Sequence, residues 1–288
     1  MKLKILLLGS NGQLGSYLSK NLKTNSKYRI IKSKNYKINL ISIKKKVKIL
    51  DKINPDVIIN CSAYTNVEEA EKNKKKALRM NFNLVSYLSE YCKKNDIKLV
   101  HFSTDYVFYG KNKLYTETDK CNPINYYGLT KLLGEKAIQQ SNCKHAIFRI
   151  SWLISGHKKS FLKKVEGLIR KKKNVYMICN SYSSPTTVIL IKNFFNINLK
   201  KICDKKINGI FHLRNESILS YYKFSKMLEE IIFKTKNNIV KKINYKKFKS
   251  LAKRPRFSKL SLSKTKKNFK FPKNDLRKEI LNLIWEKK

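Results

Sequence analysis

The segment LKILLLGSNGQLG, residues 3–15, sets what the rest of the chain can become. Leu3 to Leu8 is a short apolar run ending at Gly9, which predicts a buried strand. From Gln13 to Lys23, Leu14, Leu18 and Leu22 recur at helical intervals. Gly9, Gly12 and Gly15 lie between the two, three residues apart. Glycines at that spacing between a strand and a helix let the backbone turn tightly and approach a pyrophosphate at the helix N-terminus. The bland alternative is a plain strand-to-helix turn. Placing three of only nine glycines here favours dinucleotide binding, with Gly9, Gly12, Gln13, Leu14 and Gly15 as candidates.

The strand-then-helix rhythm continues. Strands are expected at Tyr28–Ile31, Asp56–Ile59, Lys98–Phe102 and Ala146–Ile150. Helices are expected at Ile41–Ile53, Val67–Lys94 and Tyr127–Gln140. Such alternation predicts an α/β fold, a doubly wound parallel sheet of Rossmann type with its ligand crevice beyond the strands' carboxyl ends. Three loops follow strands directly, Gly9–Gly15, Asn60–Thr65 and Ser103–Asp105, and should converge there. After residue 150 the rhythm loosens into a basic helix at Phe161–Lys173, a strand near Val175–Ile178, a helix to about Leu199 and a lysine-rich final segment. The expected division is a cofactor domain over 1–150, with 175–200 interleaved into it, and a smaller C-terminal substrate domain from 151–174 and 201–288.

Composition excludes several classes. The formal charge of +46 would suggest nucleic acid. Only 8 of the 65 basic residues are Arg, however, and the lysines come in short scattered runs such as Lys44–Lys46 and Lys74–Lys76. No nucleic-acid-binding signature accompanies them, so no nucleic-acid partner is expected. The six cysteines include no Cys-x-x-Cys pair and the four histidines lack ligand spacing. Neither a metal site nor a disulfide framework is indicated, and reduced thiols fit the cytoplasm. The apolar part of MKLKILLLG is too short for a signal peptide, and no run reaches the roughly 20 residues of a membrane span, so no membrane partner is expected.

NYYGLTK, residues 125–131, contains Tyr127 and Lys131 four apart. That spacing occurs five times, at Tyr28/Lys32, Tyr109/Lys113, Tyr127/Lys131, Tyr222/Lys226 and Tyr245/Lys249, as lysine abundance makes unavoidable. Position separates them. Tyr127 begins a helix that follows the STD loop, and i, i+4 residues share a helix face. A phenol needs a nearby cation to donate and regain a proton at neutral pH. Lys131 supplies one, and Tyr126 is left as a structural neighbour. Ser103, Thr104 and Asp105 place hydroxyls where they can meet the carbonyl that Tyr127 would protonate; a Ser/Thr/Asp turn is the alternative.

With GSNGQLG, PDVIINCSAYTNVEEAE, Asn81, FSTDYVFYG, ETDKCNPINYYGLTKLLGEKA, FRISW, SSPT at 183–186 and RPRFSKL at 254–260 in this order, the chain resembles the extended short-chain dehydrogenase/reductases. Within them it is similar to those that reduce a 4-keto-6-deoxy nucleotide sugar. That resemblance implies an oxidoreductase in which NADPH reduces the 4-keto group of dTDP-4-dehydro-L-rhamnose, giving dTDP-L-rhamnose for polysaccharide synthesis. It implies Tyr127 as proton donor, Lys131 as its activator and ribose ligand, and Thr104 orienting the carbonyl. It also implies Ala63, Tyr64 and Thr65 as a second cofactor loop, Asp105 and Trp152 as sugar contacts, and Arg254 and Arg256 near the diphosphate.

Three departures stand out. Lys32, Ser33, Lys34 and Asn39 replace the acids that often follow the second strand. This favours a 2′-phosphate and hence NADPH, with NADH as the alternative. The stretch NSYSSPT lacks an acid, a Gln and a Gly, so another 4-keto-6-deoxy nucleotide sugar is a second reading. Tyr17 stands where some members carry a metal-binding Glu at a dimer interface, so no metal is expected and a homodimer is left open. A non-catalytic regulatory subunit of the same fold is the alternative from another class.

Overall fold

The computed structural model describes residues 2–23, 26–33, 44–111, 113–172, 174–234 and 238–285. Lys34 and Asn39 of the cofactor-preference reading lie outside them. The elements of the first half are β1 (Leu3–Leu8), α1 (Gln13–Asn21), β2 (Tyr28–Lys32), α2 (Lys44–Ile53), β3 (Val57–Asn60), α3 (Val67–Lys72), α4 (Lys74–Leu78), α5 (Leu84–Lys94), β4 (Lys98–Thr104), β5 (Leu114–Tyr115), α6 (Tyr126–Gln140) and β6 (His145–Ile150). Those of the second are β7 (Leu153–Ile154), α7 (Phe161–Arg170), β8 (Val175–Ile178), β9 (Tyr182–Ser183), β10 (Thr186–Thr187), α8 (Val188–Cys203), β11 (Gly209–Leu213), β12 (Leu219–Ser220), α9 (Tyr221–Phe233), β13 (Val240–Ile243), β14 (Phe257–Leu260), α10 (Ser263–Asn268) and α11 (Leu276–Trp285).

The main sheet has six strands in the order β11-β6-β4-β3-β1-β2, and every pairing is parallel. Its inner strands β3, β4 and β6 are buried on both faces, as is the carboxyl half of β1. Ile5 and Leu7 join Leu14 and Leu18 of α1 and Phe194 and Phe195 of α8 in one core cluster, while Leu6 and Leu8 join Leu50, Leu88 and Ile138 in another. Alternate residues of β1 thus feed opposite layers, which is the doubly wound arrangement. From β1 the chain runs outward to β2 and returns to the other side of β1 as β3. The order therefore reverses between β1 and β3, and the crevice at such a switch point is where α/β sheets bind ligands.

Two expectations are corrected. The helix foreseen over 67–94 is broken. It pauses at Asn73, whose side chain bonds Glu69, and passes through a π turn at Arg79–Asn83 before α5. A π turn adds a residue to the helical circuit and re-aims a side chain; here that side chain is the fully buried Asn81. Second, residues 209–213, expected in the substrate region, form the outermost strand of the main sheet, parallel to β6. Ile210, Phe211 and Leu213 are buried there. Of the interleaved stretch, α8 packs in the same core cluster as α1, but 175–187 lies elsewhere. There β8 pairs with β13, β9 with β12 and β14, and β10 with β7.

A smaller four-stranded sheet, β12-β9-β14-β5, holds the FSKL half of RPRFSKL as β14, and Ser258 on it meets Asp105 and Ser151, which follow the carboxyl ends of β4 and β6. Among the described residues no helix is long and apolar enough to cross a membrane.

Candidate active site

The three loops singled out in the sequence follow β1, β3 and β4, which are neighbours in the sheet. Gly9 turns with φ +72°, a conformation L side chains rarely adopt, and a Cβ on it would meet Ser62 N at 2.6 Å. A Cβ on Gly15 would meet Gly9 O at 2.2 Å, so only glycine lets α1 sit this close to the turn. Gly12 caps α1 with no side-chain hydrogen bond to the helix. The first-turn N–H groups are therefore left for an anion, as a pyrophosphate cradle requires. Gln13 Oε1 accepts from Ser155 Oγ at 2.8 Å, tying this turn to the segment after β7. The Leu14 side chain packs in the core, so only its backbone is left to serve a ligand. At the end of β2, buried Ser33 bonds Ser10 in the glycine turn at 3.1 Å, with Lys32 preceding it.

The loop 63–65 is pinned by a residue whose role the sequence did not reveal. Asn81 Oδ1 accepts from Tyr64 N at 2.8 Å, and its Nδ2 donates to Tyr64 O at 3.1 Å and Thr130 Oγ1 at 3.0 Å. The π turn therefore ties the second cofactor loop, with Ala63 and Thr65 on either side of Tyr64, to α6.

Asn125 caps α6 through Gly128 N at 2.8 Å, leaving Tyr127 in the first turn and Lys131 one turn on. Tyr127 hydrogen-bonds the Thr104 side chain and stacks edge-on to Tyr106 at 5.9 Å. Burial raises its phenol pKa, the Thr104 bond opposes that, and Asp105 adds to it. Tyr127 is therefore a firmly protonated donor at neutral pH. Tyr126 instead lies under Lys74. Asp105, 2% exposed, takes hydrogen bonds from Thr104 at 3.0 Å, from Ser151 at 2.7 Å and from Ser258 on β14. Burial lifts its pKa against those three bonds.

Lys131 is placed differently from the sequence expectation. Its Nζ meets His101 Nε2 at 3.0 Å and Phe102 O at 2.7 Å. Burial brings its pKa down to about 8, with Glu135 and Cys61 pulling the other way.

Trp152 has φ +41°, a costly conformation for a bulky residue and one that marks functional sites. Its indole N–H is buried without a partner among the described residues. Its ring lies 4.4 Å from that of Tyr221 and 4.8 Å from that of Phe224. Tyr221, whose hydroxyl bonds Tyr106, was overlooked. It precedes Tyr222 of the Tyr222/Lys226 spacing, which lies instead beneath Lys242.

Arg254 Nη2 pairs with Glu68 at 2.6 Å. Arg256 lies over Phe257 and Tyr245, at 5.4 and 5.8 Å. Both arginines border a cavity of about 640 Å³ with Lys111, Lys253, Tyr245 and Phe257. Cationic forks beside flat rings suit a nucleoside diphosphate.

The family model described as the RmlD substrate binding domain matches residues 2–288. A dTDP-4-dehydrorhamnose reductase of Aggregatibacter actinomycetemcomitans is 30% identical over 97% of this chain and 98% of its own. One from Salmonella typhimurium is 33% identical over 73% of this chain and 72% of its own. The crystal structure of dTDP-4-dehydrorhamnose reductase from Bacillus anthracis, in complex with NADP, superposes with a TM-score of 0.89 at 28% identity, covering 99% of both chains. With that model matched across nearly its whole length, the chain belongs to the RmlD substrate binding domain family.

Proposed function

We propose that this protein reduces the 4-keto group of dTDP-4-dehydro-L-rhamnose with NADPH, yielding dTDP-L-rhamnose. The observation that carries the reading is Tyr127, hydrogen-bonded to Thr104 at the end of β4 with only β3 between it and the glycine turn after β1, in a chain 30% identical to a dTDP-4-dehydrorhamnose reductase. NADPH, when bound, supplies the hydride. The protein's own part is to hold and move a proton. Tyr127 keeps its proton at neutral pH and delivers it to the oxygen that becomes the 4-hydroxyl, while Thr104 holds that oxygen in line. Asp105, fixed by Ser151 and Ser258, sets the Thr104 rotamer. The Trp152 N–H gains a partner in a sugar hydroxyl, and Arg254 and Arg256 face the diphosphate.

The glycine turn, α1 and residues 63–65 bind the cofactor, and Lys32 and Ser33 at the end of β2 favour its 2′-phosphate. We assign cofactor binding to 1–150 with α8 and β11, and substrate binding to the remainder. The residues come from one chain, so a homodimer is not needed to complete the site. The six free cysteines suit the cytoplasm.

A second reading, another 4-keto-6-deoxy nucleotide sugar, is favoured by the altered stretch at 180–186. Ser181 bonds Arg256 O at 2.9 Å and Ser184 bonds Ser258 O at 3.2 Å, so this stretch shapes the sugar pocket. The test supplies purified protein with NADPH and enzymatically prepared dTDP-4-dehydro-L-rhamnose and follows the NADPH absorbance. Loss is expected only with both present. Absence of turnover, or turnover that survives Tyr127→Phe, refutes the proposal.

A further inference from the structure

A buried hydrogen-bond chain runs from the loop after β3 to the site lysine. The Ser62 backbone N–H, which can only donate, reaches Asn60 Oδ1 at 3.0 Å, and the Ser62 hydroxyl donates to the same oxygen. This fixes the amide: a flipped Asn60 would set its NH₂ against the Ser62 N–H. Asn60 therefore turns Nδ2, also only a donor, toward His101 Nδ1 at 3.2 Å. His101 is fully buried and must accept there, so a neutral imidazole carries its proton on Nε2. That N–H points at Lys131 Nζ, 3.0 Å away. Lys131 in turn donates to Phe102 O at 2.7 Å. Every link is satisfied only if Lys131 offers a lone pair. An ammonium would place two donors face to face.

From this we propose that Asn60 and His101 are positioning residues that hold Lys131 as a neutral amine, parked against the sheet, in the ligand-free protein, and that cofactor binding charges it with a proton from solvent. The proposal rests on reading Tyr127 and Lys131 as the reductive pair. Once charged, Lys131 is repelled by the His101 Nε2–H and turns toward Tyr127, one helical turn away. The groups facing it are His101 on β4, Cys61 beyond β3, and Glu135 and Tyr127 on α6. Glu135 is already bound twofold to Arg149, so no free carboxylate pins the charge. Burial independently lowers the lysine's pKa.

Because the chain has four histidines, the tautomer can be read directly by long-range nitrogen–proton NMR of ¹⁵N-histidine-labelled protein. His101→Gln identifies the signal; should it fail to fold, removing His145, His157 and His212 in turn identifies it by elimination. At a pH of about 9, a unit above the lysine's pKa of about 8, where such an amine is about nine-tenths neutral, ligand-free protein should carry the His101 proton on Nε2. A proton on Nδ1 overturns the proposal. Adding NADP⁺ in weak buffer with an indicator dye should then draw in close to a full proton per site. That uptake should be largely lost in His101→Gln, whose amide can offer oxygen to an ammonium. NADP⁺ binding without uptake also overturns the proposal. Failure of NADP⁺ to bind would refute the cofactor reading while leaving the tautomer result standing.

Discussion

Glu68, near the start of α3, holds Arg254 in a 2.6 Å ion pair and thereby ties the loop before β14 to the cofactor side of the crevice. The same carboxylate accepts from Ser250 Oγ at 2.7 Å, Leu251 N at 3.0 Å and Ala252 N at 3.3 Å. One side chain thus organises the loop that carries the candidate diphosphate ligands.

Replacing that carboxylate should loosen the loop more than it unfolds the protein. With the two side chains 35% and 22% exposed, the ion pair alone contributes at most about 1 kcal/mol. Glu68→Gln should raise KM for the nucleotide sugar roughly 3- to 10-fold and leave kcat within about twofold, as loss of uniform binding does. Burial pushes Glu68 up, but the bonds from Ser250, Arg254 and Ala252 outweigh it and bring its pKa to about 2. A depressed carboxylate stabilises fully above its unfolded value of about 4.3 and loses that contribution as pH falls through about 2. The latch should therefore survive mild acid, and a KM that climbs between pH values of about 6 and 5 would show it is held otherwise.

The Tyr127–Thr104 pair divides chemistry from binding. Tyr127→Phe should cut kcat by about 10²- to 10⁴-fold, with NADPH affinity by fluorescence titration nearly unchanged. Thr104→Val should cost less, because the donor remains and only its aim is lost. Equal losses in the two variants would place the proton elsewhere.

The parallel sheet and its crevice were legible in the sequence because buried strands and amphipathic helices write their periods directly into it. Gly9 and Gly15 were legible because close backbone approach admits no other residue there, whereas a Cβ on Gly12 would meet Gly9 O only at 3.4 Å. Asn81 had no visible role, since a π turn leaves no local composition signal and its partners, Tyr64 and Thr130, are distant in sequence. Strand β11 left no such mark, because its pairing with β6 is reached only through a long crossover. Lys131 was given a cation's role from its i, i+4 place beside Tyr127 and from the family resemblance; Asn60 and His101, which line up behind it, are brought there only by the fold.

Gly15 is the sharpest packing test. Gly15→Ala puts a methyl 2.2 Å from Gly9 O, and the contact is with backbone, which cannot swing aside. Overpacking of this kind costs about 1–3 kcal/mol. Urea denaturation should show that loss, together with weakened NADPH binding as α1 is displaced from the turn.

Trp152→Phe separates the indole N–H from the ring. A buried donor without a partner costs the free protein about 1–3 kcal/mol, so its removal should leave Tm little changed despite the smaller side chain. If a sugar hydroxyl satisfies that N–H, KM should rise roughly 5- to 20-fold. A KM equal to wild type would show that the N–H never meets substrate.

Lys98 gives a pH test away from the site. It is fully buried, and its ammonium donates to His145 O at 3.1 Å and to Ile207 O, with burial bringing its pKa down to about 8. The unfolded chain, with lysine near 10.4, then binds more protons than the folded one between about pH 8 and 10. Stability must rise with pH across that window, and the cost of the buried charge is complete below it. Lys131, also lowered by burial, contributes a similar slope in both proteins, so the difference between them isolates Lys98. Lys98→Met should flatten the rise in unfolding free energy, measured by urea denaturation at about pH 7.5 and 9.5, by roughly 2 kcal/mol. Parallel slopes in the two proteins would mean that Lys98 keeps an ordinary pKa and that its two carbonyl partners fully replace water.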